Sequence, residues 1–360
     1  METKQKKNNI LIVMLSLLIA IITLSMLFSS AISLGIKKGL RYLDVRANKD
    51  LIVHFIDVGQ GDAIAIKFAN EQVMLIDAGP KDSQNYLVEY LKDNVLTSSK
   101  DLSIDYMVLT HPDIDHSGGM SAIFSEFNVK NFYRPNIASE SENGADFARI
   151  STLNEYEELI KLSYQESGLN INVIKHNYKF NIGDAVIEIF APLKIYASMN
   201  EMSPLIKITY QGKSFLFAGD IEGEAEQDMV DEYGTRLNAD VLKVSHHGSV
   251  NSTSIEFINA VNPQYAIICV GYNIYGHPSM EVVSNLTNAG ANVMTTEKDY
   301  IRLICDDGDI NVLDNNITHS YTFVEWWIIA LILDLLILMV VAKIIIDIIK
   351  EKRKMKEKIK

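Results

Sequence analysis

The sequence predicts an α+β domain held between two membrane-spanning helices. Three observations carry that prediction. Short apolar runs alternate with stretches of helical spacing from Leu51 to Leu313. Two long hydrophobic segments stand at the two ends of the 360 residues. The stretch between them, about 270 residues, suits one large domain with a sizeable core. No internal repeat and no low-complexity linker interrupts it.

Residues 1–9 form a short basic start, and residues 10–36 then carry no charge over 27 positions. At about 1.5 Å per residue that helix exceeds the roughly 30 Å of a bilayer core. A cleaved signal peptide is the rival reading, with Ser29-Ser30-Ala31 as its cleavage context. Its apolar region usually runs only about 7–15 residues, so an anchor is expected. Lys37, Lys38 and Arg41 stop the run, and residues 37–49 link it to the domain expected at 50–315.

Strands are expected at 51–57, 63–68 and 72–77, with a tight turn at Gly59-Gln60-Gly61 and another at Asn70-Glu71. Tyr86, Leu87, Tyr90 and Leu91 give residues 83–95 helical spacing. A strand at 104–109 and a helix at 119–127 flank the segment Thr110-His111-Pro112-Asp113-Ile114-Asp115-His116. Residues 151–167 read as a helix with a solvated acidic face. Strands follow at 171–174 and 185–190, and an acidic helix at 222–233. Residues 215–217 and 241–244 are buried-type strands that end in Gly219-Asp220 and Ser245-His246-His247-Gly248-Ser249. Cys269 and Cys305 sit in apolar runs without metal-site spacing and read as buried free thiols.

The second hydrophobic segment, 323–349, opens on Trp326 and Trp327 as an interfacial entry. Residues 326–342 carry one charge, Asp334, and Lys343 can snorkel. The tail at 350–360 holds seven Lys or Arg and belongs in the cytoplasm. Two spans then place both termini inside and the domain outside the cell membrane.

Chemistry concentrates at residues 111–116. Turns rarely carry two histidines and two carboxylates in six residues. Uncompensated, the carboxylates repel, so the segment expects a cation. Imidazole nitrogen with carboxylate oxygen suits zinc, manganese or iron. The two distant strand ends, at Asp220 and at His246-His247, supply further ligand types.

Five motifs stand in one order: Asp57-Val58-Gly59-Gln60-Gly61-Asp62, the His-x-Asp-x-Asp-His segment, the Gly-Asp strand end, the His-His-Gly-Ser turn and Gly276-His277-Pro278. Together they resemble the metallo-β-lactamase fold superfamily, and more closely its ComEC-like branch, over roughly 51–313. The resemblance implies a four-layer αββα sandwich with the metal segment at its sheet edge. It implies two divalent cations, zinc or manganese. His111 and Asp113 would serve one, Asp115 and His116 the other, with Asp220 bridging and His247 as a further ligand. Which of His246 and His247 ligates is open, because strand alternation says only that they diverge. His246, with Asp115 and His277, completes the candidate catalytic set for substrate contact or proton donation. Asp57, Gln60 and Asp62 are expected to support ligands. Asn200 and Ser203 match a stretch near the family's site, and Pro204 departs from it. His54, His176 and His319 have no motif context.

Asp113 stands where the superfamily more often has histidine, which moves the expectation from β-lactam hydrolysis toward phosphodiesters. The expected chemistry is two-metal hydrolysis, one cation activating water and the other facing the developing charge. The chain has 33 basic and 46 acidic residues, and its ends (1–49 and 321–360) take 16 and 7 of them. The middle therefore keeps 17 and 39, a net charge of −22. Such a surface opposes sequence-independent grip on long DNA. The reading is a membrane-anchored phosphodiesterase acting on an envelope or extracellular substrate such as teichoic acid. One alternative is a nuclease of DNA uptake working on single-stranded DNA, with a partner channel or as a homo-oligomer. The other is a degenerate sensor or scaffold.

Overall fold

The computed structural model describes residues 50–97, 102–137, 154–297, 299–313 and 350. The segments 10–36 and 323–349, with Asp334 and His319, lie outside them. Among the described residues no helix is long and apolar enough to cross a membrane.

Two sheets account for the strands. The first holds β1 (Leu51–Phe55), β2 (Ile64–Lys67), β3 (Val73–Ile76), β4 (Ser103–Val108), β5 (Asn128–Pro135) and β6 (Asn170–Ile174). It is completed by β14 (Ile301–Asp306) and β15 (Asp309–Leu313), in the order β15-β14-β1-β2-β3-β4-β5-β6. The second holds β7 (Tyr178–Ile182), β8 (Ala185–Phe190), β9 (Leu205–Tyr210), β10 (Lys213–Phe217), β11 (Val241–Lys243), β12 (Tyr265–Ile268) and β13 (Asn292–Thr295). Its order is β13-β12-β11-β10-β9-β8-β7. Each sheet is antiparallel at one side and parallel at the other: β3 to β6 run parallel, as do β10 to β13. Parallel neighbours need crossover connections, and helices supply most of them.

The helices are α1 (Gln84–Tyr90), α2 (Ile114–Ser117), α3 (Met120–Glu126), α4 (Asn154–Ser163), α5 (Gly223–Tyr233), α6 (Ile255–Val261) and α7 (Met280–Asn288). Three apolar cores separate four layers. Val53, Phe55 and Ile66 meet Ile187, Ile208 and Phe217 between the sheets. On the outer face of the first sheet, Leu75 and Met107 pack with Leu87 of α1, Ile123 of α3 and Leu159 of α4. On the outer face of the second, Leu216 and Leu242 pack with Met229 of α5, Phe257 of α6 and Leu286 of α7. Strands covered on both faces are apolar at successive positions, which is why Val73-Met74-Leu75-Ile76 shows no alternation. The expected αββα sandwich is the observed one.

Two expectations change. The metal segment does not leave a lateral edge: it follows β4, an interior strand between β3 and β5. It stands instead at the carboxyl ends of the parallel strands, where crossover loops converge and ligands are commonly bound. The second helix, expected at 151–167, is observed at Asn154–Ser163; it stops before 167, while 151–153 lie outside the described residues. Its polar end at Glu166-Ser167-Gly168 offers no apolar face to the sheet. Cys269 and Cys305 are both buried and free.

Candidate metal centre

Five strand ends build one site. Asp77 follows β3, residues 110–116 follow β4, Asp220 follows β10, His246 and His247 follow β11, and the 271–277 loop follows β12. The glycine motif after β1 backs the metal segment directly. Asp62 N donates to Asp115 O at 3.1 Å. A Cβ on Gly61 would lie 2.3 Å from that same carbonyl, so only glycine fits.

Asp77 orients two of the histidines. His116 Nδ1 donates to Asp77 Oδ2 at 2.8 Å. Thr110 Oγ1 donates to the same oxygen at 2.7 Å, and Thr110 N to Oδ1 at 2.8 Å. With its proton committed, Thr110 Oγ1 accepts from His111 Nδ1 at 3.1 Å. A third histidine is fixed separately: His247 Nδ1 donates to Cys269 O at 2.7 Å. All three therefore carry their proton on Nδ1 and present Nε2 as a lone pair.

Those three Nε2 atoms face Asp220. Its Oδ1 lies 3.3 Å from His116 Nε2, and its Oδ2 lies 3.4 Å from His247 Nε2 and 3.9 Å from His111 Nε2. Asp115 Oδ2 stands 3.3 Å from His247 Nε2 and Asp113 Oδ2 3.8 Å from His111 Nε2. His111, Asp113, Asp115, His116, Asp220 and His247 thus converge at one cleft. His111 Nε2 and Asp220 Oδ1 are buried there and make no hydrogen bond. Leaving such atoms unpaired is costly, and a cation satisfies both.

The electrostatics agree. Burial holds His111 well below its ordinary pKa, in the neutral form a metal requires. Burial also lowers His116, but the carboxylates of Asp220, Asp62 and Asp77 outweigh it and hold its pKa well above the usual range. That pocket demands positive charge, which a divalent cation meets. His111, His116 and Asp220 lie within reach of a common ion. Asp62, His116 and His247 also satisfy that distance, but their chemistry differs. Asp62 faces the Nδ1 side of both rings, at 3.8 and 3.5 Å, where the protons are already given to Asp77 and Cys269. Its Oδ2 is paired with the ammonium of fully buried Lys243, which also contacts Gly219 O at 2.9 Å and Asp220 Oδ1 at 3.6 Å. Asp62 and Lys243 form a charge pair behind the ligands, not a ligand set.

His246 diverges from His247 for a reason other than strand alternation. Both residues are left-handed, with φ of 47° and 52°, in a tight turn spanning Ser245–Gly248. Asp77, at φ 56°, is a third such residue. Strained backbone of this kind persists where the surroundings over-determine it. The turn sends His247 into the floor and leaves His246 at the mouth. His246 Nδ1 bonds Glu222 Oε2 at 2.9 Å, while its Nε2 stands 3.9 Å from Asp220 Oδ2. Asn200 Nδ2 donates to Glu222 Oε1 at 3.0 Å, and Ser203 Oγ accepts from Asp220 N at 3.3 Å. The expected Asn200 and Ser203 are thus both beside the site. His277 stacks edge-on against His246 at 5.3 Å, and Gln60 joins it along the cleft. Asp57 lies further back and accepts from Gly59 N at 3.0 Å. Asp77, Glu222 and Lys243 are the residues that motif reasoning left out. His54 is not among the residues that line the cleft and is bonded through Nδ1 to Tyr90 Oη at 3.0 Å, and His176 stacks on Tyr178.

The cleft has a volume of about 520 Å³. Two stacked sheets with histidines and carboxylates gathered at their strand ends define a metallohydrolase-type sandwich. The profile of the Metallo-beta-lactamase superfamily matches residues 56–272, and the chain belongs to that superfamily. The fold it names generally houses a metal-dependent hydrolase and typically binds divalent metals, usually zinc.

Among individual proteins, the chain is 30% identical to "ComE operon protein 3" of Bacillus subtilis over 261 residues, covering 68% of this chain and 32% of that protein. It is 26% identical to "Competence protein ComA" of Neisseria gonorrhoeae, covering 67% and 30% respectively. The chain thus spans about a third of the length of these curated relatives. The crystal structure of the metallo-beta-lactamase fold protein YhfI from Bacillus subtilis aligns with a TM-score of 0.45 at 11% identity, over 70% of this chain and 99% of that one.

Proposed function

We propose that the chain is a membrane-anchored phosphodiesterase that uses two divalent cations, zinc or manganese, on a substrate outside the cytoplasm. The observation that carries this reading is the set of three Nε2 lone pairs aimed at Asp220, with Asp113 and Asp115 flanking them. His111 and Asp113 would hold one cation, Asp115, His116 and His247 the other, with Asp220 between. Such a pair supplies Lewis-acid activation of water and neutralises charge at phosphorus.

The chain's own residues do the rest. Asp77 and the Cys269 carbonyl keep the imidazoles in the ligating tautomer. Asp62 and Lys243 balance charge behind them. His246, held by Glu222, stands where a proton can pass to the leaving oxygen, and His277 meets the substrate beside it. Membrane anchorage and sidedness rest on the sequence of 10–36, 323–349 and the basic tail. Protease added to intact cells should remove the central domain and spare a C-terminal tag; protection of the domain overturns the sidedness.

The similarity to competence proteins favours a second reading, nuclease action in DNA uptake with a channel partner. The test uses the full-length protein in detergent with Mn²⁺ or Zn²⁺. Cation-dependent hydrolysis of bis(p-nitrophenyl) phosphate, lost on chelation, is the expected result. A protein that binds its cations and cleaves no phosphodiester sinks the proposal. Cleavage of single-stranded DNA against choline- or glycerol-phosphate polymers then separates the two readings.

A further inference from the structure

The loop after β12 is costly as built. Tyr272 is 93% exposed, Ile274 87% and Tyr275 72%, among the highest exposures of any large apolar side chain described. Single exposed apolar residues need no explanation, but three in four positions on one rim do. The loop is also rigidly braced. Asn273 Nδ2 donates to Gly271 O at 2.9 Å and His277 O at 2.8 Å, and its Oδ1 accepts from Tyr275 N and His277 N, both at 3.1 Å. Gly271 lies against Gly59 so closely that a Cβ there would be 2.4 Å from the Gly59 carbonyl carbon. An ordered loop thus presents its rings to solvent, and the same residues line the metal cleft.

The rings continue the site outward. His246 meets His277 at 5.3 Å, and His277 meets Tyr275 at 5.8 Å with planes tilted by 34°. Tyr272 lines the same cleft. Among the described residues no lysine or arginine lines the cleft. Beyond the phosphate at the cations, a substrate therefore meets, among the described residues, aromatic faces and no fixed positive charge. An aromatic cage for a quaternary ammonium needs rings that enclose the cation; rings as open as Tyr272 at 93% and Tyr275 at 72% exposure do not enclose one. A row of open faces suits planar groups, since every base offers a π-face to an aromatic side chain.

We infer that Tyr272 and Tyr275 form a stacking subsite for nucleobases beside the scissile phosphodiester, so that the substrate is a single strand gripped by its bases more than by its phosphates. This inference rests on the phosphodiesterase reading above and names its substrate class. It also reconciles a nucleic-acid substrate with a domain of net charge −22.

The test compares the full-length, Mn²⁺-loaded protein with its Tyr272→Ala and Tyr275→Ala variants on three probes: (dT)6, an abasic hexamer with the same phosphates, and glycerophosphocholine. The expected result is a fall of about tenfold or more in the (dT)6-to-abasic ratio of kcat/KM, restored by Tyr275→Trp. KM for (dT)6 should rise by less than about tenfold between 50 and 200 mM salt, far below the roughly 10³–10⁵ of a protein held by many phosphates. An unchanged ratio, or a loss confined to glycerophosphocholine, overturns the subsite. Calorimetric binding of phosphorothioate (dT)6 to the same proteins separates the two failures. Tyrosine-dependent binding without turnover by the wild type defeats the hydrolase reading and keeps the subsite; turnover with tyrosine-independent binding does the reverse.

Discussion

His247 and His246 are neighbours in sequence, and they belong to two differently built regions. His247 lies in the floor, with Asp62, Asp77, His111, His116, Asp220 and Lys243, all buried and bonded to one another across two sheets. His246 lies in the rim, with Tyr272, Tyr275 and His277, all in contact with solvent. The floor fixes protonation and charge, because each polar atom buried there must find a partner. The rim is free of that constraint and leaves its side chains for substrate. Changes to the floor should therefore act through cation content and stability, and changes to the rim through turnover and specificity.

The largest expected effect is at the floor's centre. Asp220→Ala should lower hydrolysis by on the order of 10³-fold or more while the domain still folds, because its carboxylate faces all three Nε2 atoms. Near-normal turnover with unchanged metal content would break the assignment. His54→Ala, outside the cleft, should leave turnover intact.

Charge balance comes next. Lys243→Met should destabilise the protein by about 3–5 kcal/mol, since it strands Asp62 as an unpaired buried charge. Urea unfolding without metal measures it, and a second change, Asp62→Asn, should recover part of the loss. Tyr272→Ala, at the rim, should stay within about 0.5 kcal/mol. Equal losses for the two would erase the distinction between floor and rim.

The paired histidines give the sharpest contrast. His247→Ala should lose bound cation, whereas His246→Ala should keep it and lower kcat by about 10²-fold. Asp77→Ala should weaken cation affinity by about 10–100-fold through the tautomers it sets. Metal analysis beside kinetics decides both, and cation loss from His246→Ala would reverse the roles.

The smallest effect belongs to His54, a buried histidine of neither region. Burial, then the charges of Arg302 and Lys67, push its pKa from 6.5 down to about 3. Above about pH 6.5 neither folded nor unfolded chain protonates it. Between about 6.5 and 3 the unfolded chain binds a proton that the folded chain refuses, so stability falls as pH falls. At pH 5 the loss should be about 2 kcal/mol. His54→Leu should flatten the pH dependence of unfolding over that window; an unchanged slope would show that the folded protein accommodates the charge.

Much was legible in the linear order. The metal segment packs four potential ligands of two types into six residues, and apolar runs ending at Asp220 and at His246-His247 mark strands that deliver side chains to one end of a sheet. Less legible were β5 and β7, where polar residues alternate along Asn128–Pro135 and Tyr178–Ile182 and blur the apolar signal. The end of the helix expected at 151–167 was blurred for the same reason: it stops at Ser163, and the polar residues after it give no stop signal in the sequence.

The sequence by itself determined the apolar runs that become strands and the ligand types at their ends, because spacing and hydrophobic period are local properties of the chain; the sandwich was what the family resemblance implied, and the leaning toward phosphodiesters is an expectation from that same resemblance. The tertiary structure alone decided which histidine enters the floor. Adjacent residues differ there only through a left-handed turn, whose strain is held by contacts to Cys269, Glu222 and Asp220. It also decided the roles of Asp77, Lys243 and Glu222. Each is an ordinary charged residue in sequence. Each becomes part of the site only when strands 22 to 39 residues or more apart are brought into register and water is excluded between them.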